Sequence, residues 1–122
     1  MSNVLGRVDL QDQLIPVGTS AVTVAGAIPI NAIRNVYKLK VTEKTGSPNM
    51  LYIDGLLGTT PTVTAKDRIK LTGAEVQEYP ADAIYNNTLP FWRFEQALFD
   101  HIQLTALNAT IDVYIQYADE HA

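Results

Sequence analysis

Cysteine is absent from this chain of 122 residues. Its absence excludes disulfide bonds, thiol nucleophiles and cysteine-ligated zinc sites. Histidine is scarce as well, because His101 and His121 are the only two and lie far apart in the sequence. The acidic residues also lack the alternating oxygen-ligand spacing of a calcium loop. The sequence therefore predicts neither a metal site nor any other cofactor.

Positive charge is sparse and scattered. Nine lysines and arginines stand against thirteen acidic residues, which gives a net charge of −4. Binding to phosphates requires clustered basic residues, so the composition predicts no nucleic-acid partner. Catalytic signals are equally thin: none of the three serines lies in a Gly-x-Ser-x-Gly turn, and no glycine-rich phosphate loop occurs. We therefore expect a non-enzymatic protein that forms a single domain over residues 1–122.

Charge of either sign is absent from residues 13–33. The segment is long enough for a membrane helix, but Pro16, Gly18, Gly26 and Pro29 interrupt it, and its valines and threonines favour strands. The sequence thus predicts no membrane partner. The first residues also lack the apolar core of a signal peptide. We therefore expect a cytoplasmic protein, or a virion protein if the source is viral.

The clearest positive signal is alternation near the end of the chain. Ile111, Val113, Ile115 and Tyr117 fall on one face of an extended chain and polar residues fall on the other. Such alternation is typical of a half-buried strand. Residues 101–105 alternate in the same way, and Asn108 lies between the two runs, where it can adopt a left-handed turn conformation. The pattern predicts a terminal β-hairpin over residues 101–117.

Shorter strand signals occupy much of the remaining chain. Alternation predicts strands at residues 22–24, 35–42, 50–53 and 68–72, and a second hairpin over 35–53. The threonine-rich residues 59–65 contain Pro61 and fit an edge strand at best. Residues 74–89 are irregular and are the place where we expect any helix. Together these signals predict an all-β fold, a β-sandwich or jelly roll of short antiparallel strands.

The apolar N-terminal segment predicts a role in association. Alanine, glycine and proline fill a core poorly, yet this segment carries several large aliphatic side chains that need burial. We interpret residues 1–33 as an extended arm that contacts an oligomer partner or a larger assembly. Its candidate interface residues are Ile15, Val17, Ile28, Ile30 and Ile33.

Two aromatic residues add candidates for the same surface. Trp92 alternates with Phe91 and is interpreted as pointing outward, where tryptophan often anchors a contact. Tyr114 lies on the polar face of the last strand. An alternative hypothesis makes the chain a carbohydrate-binding β-sandwich in which Trp92 and a neighbouring tyrosine stack on a sugar.

The final stretch D-H-I-Q-L-T-A-L-N-A-T-I-D-V-Y-I-Q-Y, the short cysteine-free strands and the apolar N-terminal segment resemble the capsid decoration proteins of tailed phages and related viruses. This resemblance implies a virion structural protein that binds a capsid lattice, often as a trimer, and stabilises the shell. Binding that occurs only to the assembled state would stabilise it by mass action. A subunit of a phage tail or fibre is a further alternative.

Overall fold

The chain folds into two antiparallel sheets that face each other. The structure, a computed structural model, describes residues 10–58, 62–79 and 92–121. These residues form nine strands in chain order: β1 (Gln11–Val17), β2 (Val22–Val24), β3 (Ala32–Glu43), β4 (Asn49–Leu57), β5 (Thr62–Leu71), β6 (Glu75–Tyr79), β7 (Trp92–Glu95), β8 (His101–Ala106) and β9 (Ile111–His121). No helix occurs in these ranges, so the predicted all-β fold class is confirmed.

The strand order is that of a jelly roll. Sheet A has the order β1-β9-β3-β6, with β7 pairing beside β6 along the same edge of β3, and sheet B has the order β2-β8-β4-β5. The chain crosses between the sheets at most connections, so that neighbours in a sheet are distant in sequence. Two four-stranded orders interleaved in this way define the double-sheet jelly roll.

The face assignment of the last strand is confirmed. Ile111, Val113 and Ile115 are buried between the sheets, whereas Asp112 and Gln116 point outward and are half-buried. The same alternation holds in β8. A register error of one residue would turn the whole apolar set to water, which is why burial of one face specifies the register so strongly.

Both predicted hairpins are wrong in their pairing. Strand β8 pairs with β2 and β4, whereas β9 pairs with β1 and β3, so residues 101–117 join the two sheets instead of forming a hairpin. Strands β3 and β4 are likewise in different sheets. The connection after β8 does not use a left-handed Asn108. Its N–H donates instead to Asn49 Oδ1 at 2.9 Å, and its side-chain amide donates to the Pro48 carbonyl at 2.9 Å.

The N-terminal segment belongs to the sandwich. Strand β1 forms one edge of sheet A through seven paired residues, and β2 forms an edge of sheet B. The prediction of an extended arm is therefore wrong for residues 11–24, and residues 1–9 lie outside the described part. The predicted loop over 74–89 begins with β6, and its remainder after Tyr79 is also outside the described residues.

Loops gather at the two ends of the sandwich. At one end, the turns around residues 18–21, 44–48 and 107–110 are joined by backbone bonds such as Ala106 N–H to the Gly18 carbonyl at 2.8 Å. At the other end lie the β2–β3 connection (25–31), the start of the β4–β5 connection at Gly58, and the β7–β8 connection (96–100). The candidate site is at this second end.

Candidate association surface

Asp100 joins the three loops of the second end. Its backbone N–H donates to the Leu56 carbonyl at 2.6 Å, and its carbonyl accepts the N–H of Ile28 at 2.8 Å. Its carboxylate accepts the N–H of Gly58 at 2.8 Å. One residue of the β7–β8 connection thereby bonds to backbone groups of the two other connections and of the end of β4. Backbone hydrogen bonds of this kind give the loops a defined arrangement.

Three large apolar side chains on these joined loops, or at the strand end next to them, are exposed to solvent. Ile30 is 77% exposed, Leu98 is 57% exposed and Leu57 is 42% exposed. We call these three residues the apolar tip. Single exposed aliphatic residues are ordinary on protein surfaces, but several at one end of a small domain are characteristic of a contact surface.

The loop that carries Ile30 is held by hydrogen bonds within itself and to Gln96 of the β7–β8 connection. Asn31 takes a left-handed backbone conformation at φ 60°, and its N–H donates to Gln96 Oε1 at 3.3 Å. The Ala32 N–H donates to the Pro29 carbonyl at 3.1 Å, and the Gln96 N–H donates to the Ala32 carbonyl at 2.9 Å. Ile30 is therefore presented on an ordered turn, and ordering this loop adds little to the cost of association.

A buried arginine supports the same loop from inside the sandwich. Arg34 on β3 is 3% exposed, and its Nη1 donates to the carbonyls of Val24 at 3.2 Å and Gly26 at 2.7 Å. The other side of the guanidinium forms a two-pronged ion pair with Asp119. The Arg34 guanidinium also lies 5.0 Å from the ring centre of Tyr117. A planar, fully charged group with several donors suits this role better than lysine would.

Most of the predicted N-terminal interface residues are buried in the chain's own fold. Ile15, Val17 and Ile28 belong to the core cluster, and Ile33 on β3 is also buried. Their interpretation as contact residues is corrected: β1, β3 and the connection between β2 and β3 place these side chains where a partner cannot reach them. Ile30 differs because it lies in a turn beyond the strands, and it remains a candidate.

The prediction for Trp92 is wrong in its direction. Residues two apart on a strand share a face, so Trp92 lies on the same face of β7 as the fully buried Phe94. Its ring stacks on Tyr79 with centroids 6.3 Å apart, and both rings pack against the core. A tyrosine does neighbour Trp92, as the sugar-binding hypothesis requires, but the pair is directed inward at the sandwich edge.

Tyr114 points outward as predicted and contributes to a groove on sheet A. The groove has a volume of about 490 Å³, and its walls include Leu14, Tyr114, Lys40 and Glu78, which are cross-strand neighbours on four adjacent strands. The Tyr114 hydroxyl donates to Asp12 Oδ2 at 3.1 Å. Partial burial is the larger cause and this hydrogen bond the smaller cause that raise the pKa of Tyr114. The phenol therefore stays neutral at physiological pH. The groove carries both signs of charge and indicates no single ligand class.

Two residues of the apolar tip, Leu57 and Leu98, were missed by sequence reasoning. Leu57 ends a strand. Leu98 lies in a tight turn, in which the Leu98 N–H donates to the Glu95 carbonyl at 2.9 Å. In the sequence each looks like an ordinary core leucine. No sequence signal distinguishes Leu98 from its neighbour Phe99, which the structure shows to be buried.

In the part of the chain that the structure describes, no three histidine, aspartate or glutamate side chains converge as metal ligands do. The same residues contain no helix that is long and apolar enough to cross a membrane. Comparison with known proteins gives no match: no family model, no curated protein and no solved structure is similar to this chain.

Proposed function

We propose that this protein is a non-enzymatic structural subunit that associates through its apolar tip, with copies of itself and with a larger protein shell such as a viral capsid. The observation that carries the proposal is the exposure of Ile30, Leu57 and Leu98 at one end of the sandwich, on hydrogen-bonded loops and the strand end next to them. The jelly-roll order is an architecture that capsid proteins use, as lectins and cupins also do.

The ordered loops hold the apolar side chains of the tip in a position where a partner can cover them. A tip of this kind gains about 25 cal/mol for each Å² of apolar surface that a partner covers. Because Asp100, Gln96 and Arg34 already hold the loops, association needs little further ordering. Stabilisation of a shell then follows by mass action, since a subunit that binds only the assembled form favours that form.

Charge insertion at the tip tests the proposal. Ile30→Asp and Leu98→Asp should weaken self-association or binding to purified shell particles by about tenfold or more, because a charge in a desolvated contact costs several kcal/mol. Their thermal melts should stay close to that of the wild-type protein, because both side chains are exposed. Sedimentation velocity, with and without particles, measures the association.

Leu107→Asp is the matched control. Leu107 is an exposed leucine in the loop at the opposite end of the sandwich, so the same change there should leave association intact. Ile15→Asp should instead unfold the protein, because Ile15 is in the core. If the tip variants associate as well as the Leu107 variant does, the tip is not the contact surface and the proposal fails.

A further inference from the structure

Strand β5 is the long outer strand of sheet B. It has ten residues, is exposed to solvent from Thr62 to Arg68, and pairs only with β4 among the strands that the structure describes. An edge strand directs the N–H and C=O groups of alternate residues away from the sheet, where another strand can pair with them. Other edge strands in the described chain are less suited to pairing with a further strand. Strand β2 has only three residues, β6 has five, and β1 contains Pro16, which has no N–H to donate.

In the second half of β5, side-chain hydrogen bonds and a bulge hinder pairing with another strand. Gln77 Nε2 donates to the Lys70 carbonyl at 2.9 Å, and Arg68 Nη1 donates to the Asp67 carbonyl at 2.8 Å. Just beyond the strand, Glu75 accepts the Thr72 N–H at 2.8 Å. A shift in register interrupts the pairing with β4 between Ala65 and Asp67. Charged residues and bulges are the devices by which natural edges avoid pairing.

Among the residues that the structure describes, the first half of β5 has neither a side-chain bond to its backbone carbonyls nor a bulge. Thr62, Val63, Thr64 and Ala65 form an uncharged, largely β-branched window, and Val63 is 55% exposed. The window begins opposite Leu57 of the apolar tip. It therefore continues the proposed association surface along the edge of the sheet.

We infer that the edge of residues 62–65 pairs with the same window of a second copy across a two-fold axis. This inference rests on the proposed function in one respect, the association of copies of this chain; the contact it names lies beside the apolar tip, on the strand edge that begins opposite Leu57. Antiparallel self-pairing places Thr62 opposite Ala65 and Val63 opposite Thr64, so no two like charges meet. The two copies of sheet B then form one continuous sheet.

The residues at both ends of the window limit the length of this strand pairing to about four residues. Pro61 precedes the window in the sequence and has no N–H to donate, and the charged residues from Lys66 onward follow it. A four-residue ladder buries less than the roughly 1,200 Å² of a standard stable interface. The dimer is therefore weak and depends on concentration. A two-fold contact also differs from the trimer that the phage resemblance implies.

The edge variant Val63→Lys tests the inference. Sedimentation velocity over a concentration series should show a monomer–dimer equilibrium for the wild-type protein and a dissociation constant about tenfold higher or more for Val63→Lys. Thr23→Lys is the matched control, because Thr23 is an exposed residue on β2 at the opposite edge of the same sheet. Amide hydrogen exchange should also slow within residues 62–65 as the dimer forms.

The outcomes separate the edge from the tip. A wild-type protein that stays monomeric, a Val63→Lys variant that dimerises normally, or exchange in the window that is independent of dimerisation each overturns the edge inference. If Ile30→Asp abolishes association and Val63→Lys does not, the proposed tip stands and the edge contact falls. The reverse result supports the edge and removes the tip.

Discussion

Arg34 and Asp119 form a two-pronged ion pair across two neighbouring strands of sheet A. Arg34 Nε lies 2.7 Å from Asp119 Oδ1, and Nη2 lies 2.9 Å from Oδ2. The remaining guanidinium nitrogen reaches the carbonyls of Val24 and Gly26 and so connects the pair to β2 and the loop after it. One arginine thereby links the two sheets and supports the loop that presents Ile30.

Removal of the carboxylate should expose the cost of this buried charge. Asp119→Ala leaves the Arg34 guanidinium buried without its counter-ion, which typically costs about 3–5 kcal/mol of unfolding free energy. Urea denaturation measures the loss. The comparison is Lys44→Gln, which breaks a solvent-exposed ion pair with Asp112 and should change the unfolding free energy little, because water screens the pair. Equal losses for the two variants would contradict the linking role of Arg34.

Stability should depend on pH through Glu43. Hydrogen bonds from the Thr45 side chain and then from Asn49 lower the pKa of this buried carboxyl, whereas burial alone would raise it. Because the folded-state pKa is lowered, the stabilisation is complete above the unfolded pKa of about 4.3 and is lost as the pH falls below it.

Comparison of wild-type protein with Glu43→Gln isolates this effect. Charge-assisted hydrogen bonds are worth roughly 1.5–3 kcal/mol, so the variant should be less stable by about that amount at pH 7, and the difference should shrink between pH 4 and pH 3. Thr45→Val removes the hydroxyl that donates to the Glu43 carboxylate and should reduce the same pH dependence in part. A difference that is constant from pH 3 to pH 7 would contradict this assignment.

Gly55 and Phe99 should show strong coupling. A Cβ atom on Gly55 would lie 2.1 Å from Phe99 Cδ1, so the aromatic ring occupies the space that a side chain would need. Gly55→Ala should cost about 1–3 kcal/mol through overpacking. In the background of Phe99→Leu the same substitution should cost much less, and a double-mutant cycle measures the coupling.

Gly26→Ala is the control for that experiment, because no atom lies within 4 Å of the added methyl group. It should change the unfolding free energy by less than about 1 kcal/mol. Additive costs for Gly55→Ala and Phe99→Leu would show that the ring does not fill the glycine site.

The face assignment of β9 is tested by two adjacent substitutions. Val113→Asp places an unpaired charge in the core and should prevent folding, because burial of an isolated carboxylate costs many kcal/mol. Asp112→Asn alters only the outer face and the exposed pair with Lys44, so it should cost less than about 1 kcal/mol. Circular dichroism and a thermal melt distinguish the two, and equal stability would contradict the assignment.

The alternation of apolar and polar residues was enough to predict the all-β class and the buried face of β9. Those properties are local, because a strand turns successive side chains to opposite faces whatever it pairs with. The same local character explains the two wrong hairpins. Alternation states which face of β8 and β9 is buried and contains no information about the sheet that each strand joins.

Only the tertiary structure decided which apolar residues of the N-terminal segment are buried. Ile28 and Ile30 are two residues apart in an uncharged run, yet one fills the core and the other is exposed at the tip. The difference comes from the hydrogen bonds of Asp100 and Gln96, which are far away in the sequence. Contacts between distant segments set the path of a loop, and the path of the loop determines which side chains a partner can reach.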